Sequence, residues 1–114
     1  MRLLIAAIDD LFFMPKVKDA AVQAGMTIEF AKGREDAMLR ASRAECLLVI
    51  VDLNAGKMEP VELVRELKTA GKTVLGFLSH VNVELREKAV EAGADRVLAR
   101  SAFSQNIVQI LKEY

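Results

Sequence analysis

Four apolar runs in this chain end on residues that can do chemistry. LLIAAI, residues 3–8, meets Asp9 and Asp10, and CLLVIVD, 46–52, closes on Asp52. TVLGFL, 73–78, is followed by Ser79 and His80, and DRVLA, 95–99, by Arg100 and Ser101. Carboxylates joined by a backbone carbonyl and waters are what Mg²⁺ accepts. A hydroxyl and a guanidinium nearby suit a phosphoryl group. Taken singly, each residue only marks a loop meeting water. Their meaning depends on whether the ends of separate runs meet in space.

The elements between them argue that they do. Runs 3–8, 46–52 and 73–78 are too short and too uniformly apolar for surface helices, so they read as buried strands; TIEF, 27–30, and 95–99 complete a set of five. Helices are expected between them. Pro15 suits a first helical turn, Val17, Ala20, Ala21 and Ala24 recur at helical spacing, and Gly25 stops that helix. Residues 33–45 carry strong helix formers with a small apolar face on Ala37, Leu39 and Ala41. Pro60 opens a helix faced by Val61, Val64 and Leu67 and ended by Gly71. Asn82 caps one lined by Leu85, Ala89 and Ala92 and closed by Gly93. Ser104 is the expected cap of a last helix bearing Ile107, Val108, Ile110 and Leu111. Five rounds of strand then helix imply an α/β fold, a parallel sheet covered on both faces with right-handed crossovers. In such a sheet ligands sit beyond the carboxyl ends of the strands, at a switch in strand order. Asp9, Asp10, Asp52, Ser79 and Arg100 are all predicted there.

Bulk properties narrow the classes. The 114 residues fit one domain, 1–114. With 16 basic and 16 acidic residues the net charge is +0, which offers no basic field for nucleic acid. No run reaches the ~18 apolar residues of a membrane span, and no secretory signal is visible, so a cytoplasmic setting is expected. Cys46, the lone cysteine, reads as a small buried hydrophobe rather than a reactive thiol. His80, the lone histidine, has too few partners for a zinc site and no orienting group for a hydrolase triad; a loop or partner-contact role is expected. At least one of Phe12 and Phe13 is expected in the core. A flavin or nucleotide site would need a first loop rich in Gly, Ser or Thr, whereas IDDLFF offers carboxylates that repel phosphate unless metal intervenes.

With these residues in place, the chain resembles a response-regulator receiver domain over essentially its full length. VDLNAGKMEP is similar to the family's acceptor segment, with Asp52 as acceptor and matching positions at Met58 and Glu59. Ser79 matches the Ser/Thr ending the fourth strand, and EAGADRVLAR the approach to the fifth. The acidic pair falls at Ile8 and Asp9 or at Asp9 and Asp10. The resemblance implies a flavodoxin-like three-layer α/β/α fold with sheet order 2-1-3-4-5. It also implies Mg²⁺ held by Asp9 or Asp10, Asp52 and the Asn54 carbonyl. Asp52 would take a phosphoryl group from a histidine kinase or phosphotransfer protein, making the chain a phosphoacceptor in signalling rather than a metabolic enzyme. Ser79 and Arg100 would contact that group.

Within the acceptor segment Gly56 stands where the family usually has proline and Pro60 where it has glycine. Three other departures support an alternative: Arg100 stands where the family has lysine, Ser101 where it has a cis-bonded proline, and Val97 where it has an aromatic switch residue. Arginine is planar and prefers a carboxylate, so Arg100 is expected to clamp Asp52 directly. A serine holds a cis bond only at about 2.5–4 kcal/mol, so the loop around Arg100 is expected to run differently. The alternative is a pseudo-receiver held in one state by Arg100, not phosphorylated, and binding a protein output partner. The outer face of the last helix offers a surface for a homodimer.

Overall fold

The computed structural model describes residues 2–79 and 82–114; His80 and the role expected of it lie outside the described residues. Strands and helices alternate: β1 (Leu3–Ala7), α1 (Met14–Gln23), β2 (Thr27–Phe30), α2 (Arg34–Ala41), β3 (Cys46–Asp52), α3 (Pro60–Thr69), β4 (Val74–Leu78), α4 (Val83–Glu91), β5 (Arg96–Ala99) and α5 (Arg100–Leu111). The five strands form one parallel sheet in the order β2-β1-β3-β4-β5, as expected.

Strand alternation divides the core in two. Leu3, Ile5 and Ala7 of β1 with Val49 and Val51 of β3 face one layer, where Leu63, Val64 and Leu67 of α3 and Ala89 of α4 cover them. Leu4, Ala6, Leu48 and Ile50 face the other, against Val17, Ala20 and Ala21 of α1 and Phe103, Ile107 and Leu111 of α5. Because both faces are covered, β1, β3 and β4 need apolar residues at nearly every position. Each fully buried aliphatic side chain contributes about 1.5–3 kcal/mol. Gly76 of β4 is small because Leu53 crosses it; a Cβ there would sit 3.2 Å from Leu53 Cδ1.

Local chemistry explains the boundaries. Pro15 lies in the first turn of α1, and Pro60 in that of α3. Gly25, Gly71 and Gly93 adopt positive φ two residues after α1, α3 and α4 end. The Asn82 side chain accepts the Leu85 N–H at 3.0 Å and caps α4. Glu59, just ahead of α3, is left-handed at φ 47°, the region glycine would take without strain.

Two helices differ from the sequence expectation. Helix α2 ends at Ala41, and Leu39 is 72% exposed; its buried face is Ala37 and Ala41 with Met38 against the core. The Ser42 hydroxyl donates to the Leu39 carbonyl at 2.6 Å, which diverts a backbone acceptor where the helix stops. Helix α5 begins at Arg100, not at a Ser104 cap. No side chain caps it, and it kinks at Asn106 (φ −127°, ψ 18°), where Asn106 Nδ2 donates to the Ala102 carbonyl at 2.9 Å. β5 therefore passes into helix with no intervening loop, and the described residues contain no cis peptide bond.

Candidate functional site

Asp52 is the last residue of β3, with Phe77 opposite it on β4. Continuing the β3 alternation past Val51 turns it toward the α1–α5 layer. It is 4% exposed and is the one buried charged residue among those described. Its Oδ1 accepts the Asn54 N–H at 2.9 Å. Burial pushes its carboxyl pKa upward, opposed by the Asn54 amide; the charges of Asp9 and Asp10 raise it further and that of Arg100 lowers it. These four residues therefore share one electrostatic neighbourhood, although they come from β3, the β1–α1 turn and α5.

The β1–α1 turn brings further acids to this edge. Ile8 is fully buried in the α1–α5 core layer and follows Ala7, the partner of Val51, so an apolar side chain lies beside Asp52 and the acids that come after β1 are Asp9 and Asp10. They do different work. Asp10 Oδ1 accepts the N–H groups of Phe12 at 2.9 Å and Phe13 at 3.2 Å, and its carbonyl accepts those of Phe13 and Met14. It thus caps the turn that leads into α1. Its other oxygen, Oδ2, accepts from Arg100 Nη2 at 2.6 Å. The Arg100 bond and the two amides hold the Asp10 carboxyl below its ordinary range. Asp9, half-buried, enters none of the side-chain hydrogen bonds or ion pairs found among the described residues.

Arg100 keeps the positive charge expected of it, but its partner is Asp10 rather than Asp52. The reason is geometric. Starting α5 at Arg100 sends the side chain back along the Phe13 ring, with Cζ 4.2 Å from the ring centroid. Phe13 is itself fixed by Phe77 and Phe103 at centroid distances of 5.3 and 6.1 Å. From that perch the guanidinium meets the capping carboxylate at the rim. Phe13 is buried, as one of the pair was expected to be, while Phe12 is 96% exposed beside Leu11 at 76%.

Ser79 follows β4 at the same edge. Its N–H and its hydroxyl both donate to Asn54 Oδ1, at 2.6 and 2.9 Å. The Asn54 side chain, whose role went unnoticed in the sequence, thus ties Ser79 to the loop after Asp52. The signal was available: an asparagine two residues past a strand-end carboxylate offers both an amide to that carboxylate and a side-chain acceptor to the next loop. Cys46 is buried and burial raises its pKa, so it stays a protonated thiol.

For Mg²⁺ the donor chemistry fits in part. Asp52, Asp9 and the Asn54 carbonyl are hard oxygen donors at the carboxyl edge of the sheet, although the Asn54 carbonyl already accepts the Gly56 N–H at 3.0 Å. Asp10 is already committed to Arg100 and to two backbone amides. Among the described residues, no group of three or more acidic, histidine or cysteine side chains is gathered as a ready metal cluster.

No protein-family model matches the chain, and no curated protein matches it in sequence. Solved structures do match in shape. A response regulator from Thermotoga maritima is 21% identical, with a TM-score of 0.82 over 99% of this chain and 96% of that one. The Vibrio cholerae chemotaxis protein CheY4 is 20% identical, with a TM-score of 0.84 over 99% and 98%. A Burkholderia pseudomallei response regulator, solved with a phosphorylated aspartic acid, a calcium ion and citrate, is 20% identical, with a TM-score of 0.82 over 97% and 66%. At such identities the likeness is one of fold, and it runs through every strand and helix of the chain: this chain has the fold of the response-regulator receiver domains.

Proposed function

We propose that the chain, 1–114, is an atypical receiver domain that accepts a phosphoryl group on Asp52. One observation carries the reading: the one buried charged side chain among the described residues closes the central strand, at the edge where Asp9, Asp10 and Arg100 converge. A buried carboxylate costs stability, so its retention at a strand end argues for use. The Burkholderia pseudomallei relative carries its phosphoryl group on an aspartic acid, with a calcium ion.

In this mechanism the Asn54 amide holds Asp52 Oδ1, which leaves Oδ2 to attack the phosphorus of a phosphohistidine on a kinase or phosphotransfer protein. An O–P bond forms, the P–N bond breaks, and its electron pair returns to the imidazole nitrogen. Mg²⁺, when bound, neutralises charge on the phosphoryl oxygens. Asp9, Asp52 and the Asn54 carbonyl would hold it, and Asp10 would join them on parting from Arg100. Arg100 is then free to bond a phosphoryl oxygen, and Ser79 to leave Asn54 for another. Such a change biases the loops after β3 and β4 because the two states have different hydrogen-bond partners.

A second reading is favoured by the Arg100–Asp10 pair: a pseudo-receiver in which that pair fixes the pocket and the chain serves as a protein-binding module. One measurement separates them. The purified protein is incubated with Mg²⁺ and a small phosphodonor such as acetyl phosphate or phosphoramidate, and its intact mass is read. The first reading expects one base-labile phosphoryl group on wild type and none on Asp52→Asn. An unchanged wild-type mass, with donors and with histidine kinases alike, leaves the second.

A further inference from the structure

Beside the acceptor site, α4 and α5 part at the ends of β4 and β5 and leave a cleft of about 630 Å³. That volume lies within the ~300–1,000 Å³ of small-molecule sites. Phe13, Leu78, Val83 and Ala99 supply apolar wall, and Ser79, Ser101 and Ser104 supply hydroxyls. Among the described residues, the charged side chains lining it are Arg86 and Arg100, and none of the lining residues is a carboxylate. Arg86 projects from α4, is exposed, and enters none of the ion pairs found among the described residues. Val83 is 62% exposed, an apolar surface left open at the mouth.

A cleft with apolar walls, the hydroxyls of Ser101 and Ser104, and two cations, of which Arg100 is shared with Asp10, is complementary to an anion on an apolar body. We propose that this cleft binds a small organic anion, with its apolar part between Phe13, Leu78 and Val83 and its charged head between Arg86 and Arg100. The head is a carboxylate or a phosphate monoester, since both accept the planar guanidinium fork. The site is separate from the carboxylate of Asp52 but shares Arg100 with the pocket. A bound anion therefore competes with Asp10 for that guanidinium, which ties occupancy of the cleft to release of Asp10.

The test is an amide NMR titration of the full chain, without metal or phosphodonor, using benzoate, phenyl phosphate and benzyl alcohol as probes. Saturable shifts are expected at Val83, Arg86, Ser101 and Ser104 with one or both anions, and none that saturate with benzyl alcohol. The stronger of the two anions identifies the head group. Arg86→Gln, which removes an exposed side chain with no ion pair among the described residues, is expected to weaken binding about tenfold, the loss of one charge-assisted contact. Asp52→Asn is expected to leave binding in place, so failure of the phosphoacceptor reading and failure of this one are distinguishable. Absence of saturation with both anions, equal affinity in Arg86→Gln, or equal binding of the neutral alcohol would each overturn the proposal.

Discussion

Asp52 on the floor of the acidic pocket and Asp10 on its rim are carboxylates of one small neighbourhood, and the fold drives them in opposite directions. Asp52 is buried among apolar strands with one amide for company, so its charge is disfavoured. Asp10 is half-exposed and holds a guanidinium and two amides, so its charge is favoured. A carboxylate that is costly to keep charged and has a free oxygen is suited to forming a bond. One whose oxygens are all engaged is suited to holding other groups in place. On the proposed reading, receiver chemistry rests on the floor and its control on the rim.

The largest effect that would break this contrast is loss of chemistry. Asp52→Asn is expected to abolish acyl-phosphate formation completely, as read by intact mass, whereas Asp10→Asn is expected to retain it at a reduced rate. Next is the packing under the floor. Phe77 is fully buried, adjoins Asp52 in register, and stacks on Phe103 at 5.0 Å. Phe77→Ala is expected to cost about 3–5 kcal/mol in denaturant unfolding. It should also admit water and bring the Asp52 carboxyl back toward its ordinary range, visible in side-chain NMR titration.

A smaller effect sharpens the rim. Arg100→Gln frees Asp10 Oδ2, so Mg²⁺ affinity is expected to rise about tenfold, the scale of changes made around metal ligands. The Asp10 carboxyl pKa should rise with it. An unchanged affinity would show that Asp10 never competes for metal.

The smallest effect is a pair of pH profiles of melting temperature in metal-free protein, and their signs differ. The folded pKa of Asp52 is raised, so its charge destabilises in full above that pKa, and the cost fades as pH falls toward the ordinary value of 3.8. Asp52→Asn should therefore melt higher than wild type near neutrality, with the gap closing above 3.8. The folded pKa of Asp10 is lowered, so its stabilisation is complete above 3.8 and is lost only as pH falls below it. Asp10→Asn should melt lower than wild type near neutrality, by a few degrees, with the gap persisting down to 3.8. Gaps of the same sign would sink the contrast.

Much of the scaffold was legible because its causes are local. Six apolar residues in a row before Asp52 describe a strand covered on both faces, whatever it packs against. Pro15, Pro60 and Asn82 announce helix starts through their own backbone or side-chain bonding. The misread places are those where local signals compete. Ser104 has the chemistry of a cap, yet the chain turns helical at Arg100, directly after the extended Ala99 and without a side-chain cap. Leu39 has the hydropathy of a core residue but falls on the outer side of a short helix whose contacts are made by Ala37, Met38 and Ala41.

By itself the sequence determined which residues would reach the carboxyl edge of the sheet: Asp9, Asp10, Asp52, Ser79 and Arg100 each follow an apolar run of definite length, and strand length is a local property. Only the tertiary structure decided their partners. Arg100 meets Asp10 and not Asp52 because the Phe13 ring, held by Phe77 and Phe103, lies under its guanidinium. Ser79 meets Asn54 because β3 and β4 are neighbours in register. Pairings between elements depend on side-chain directions over ångströms, and those are set by packing against residues far away in the chain.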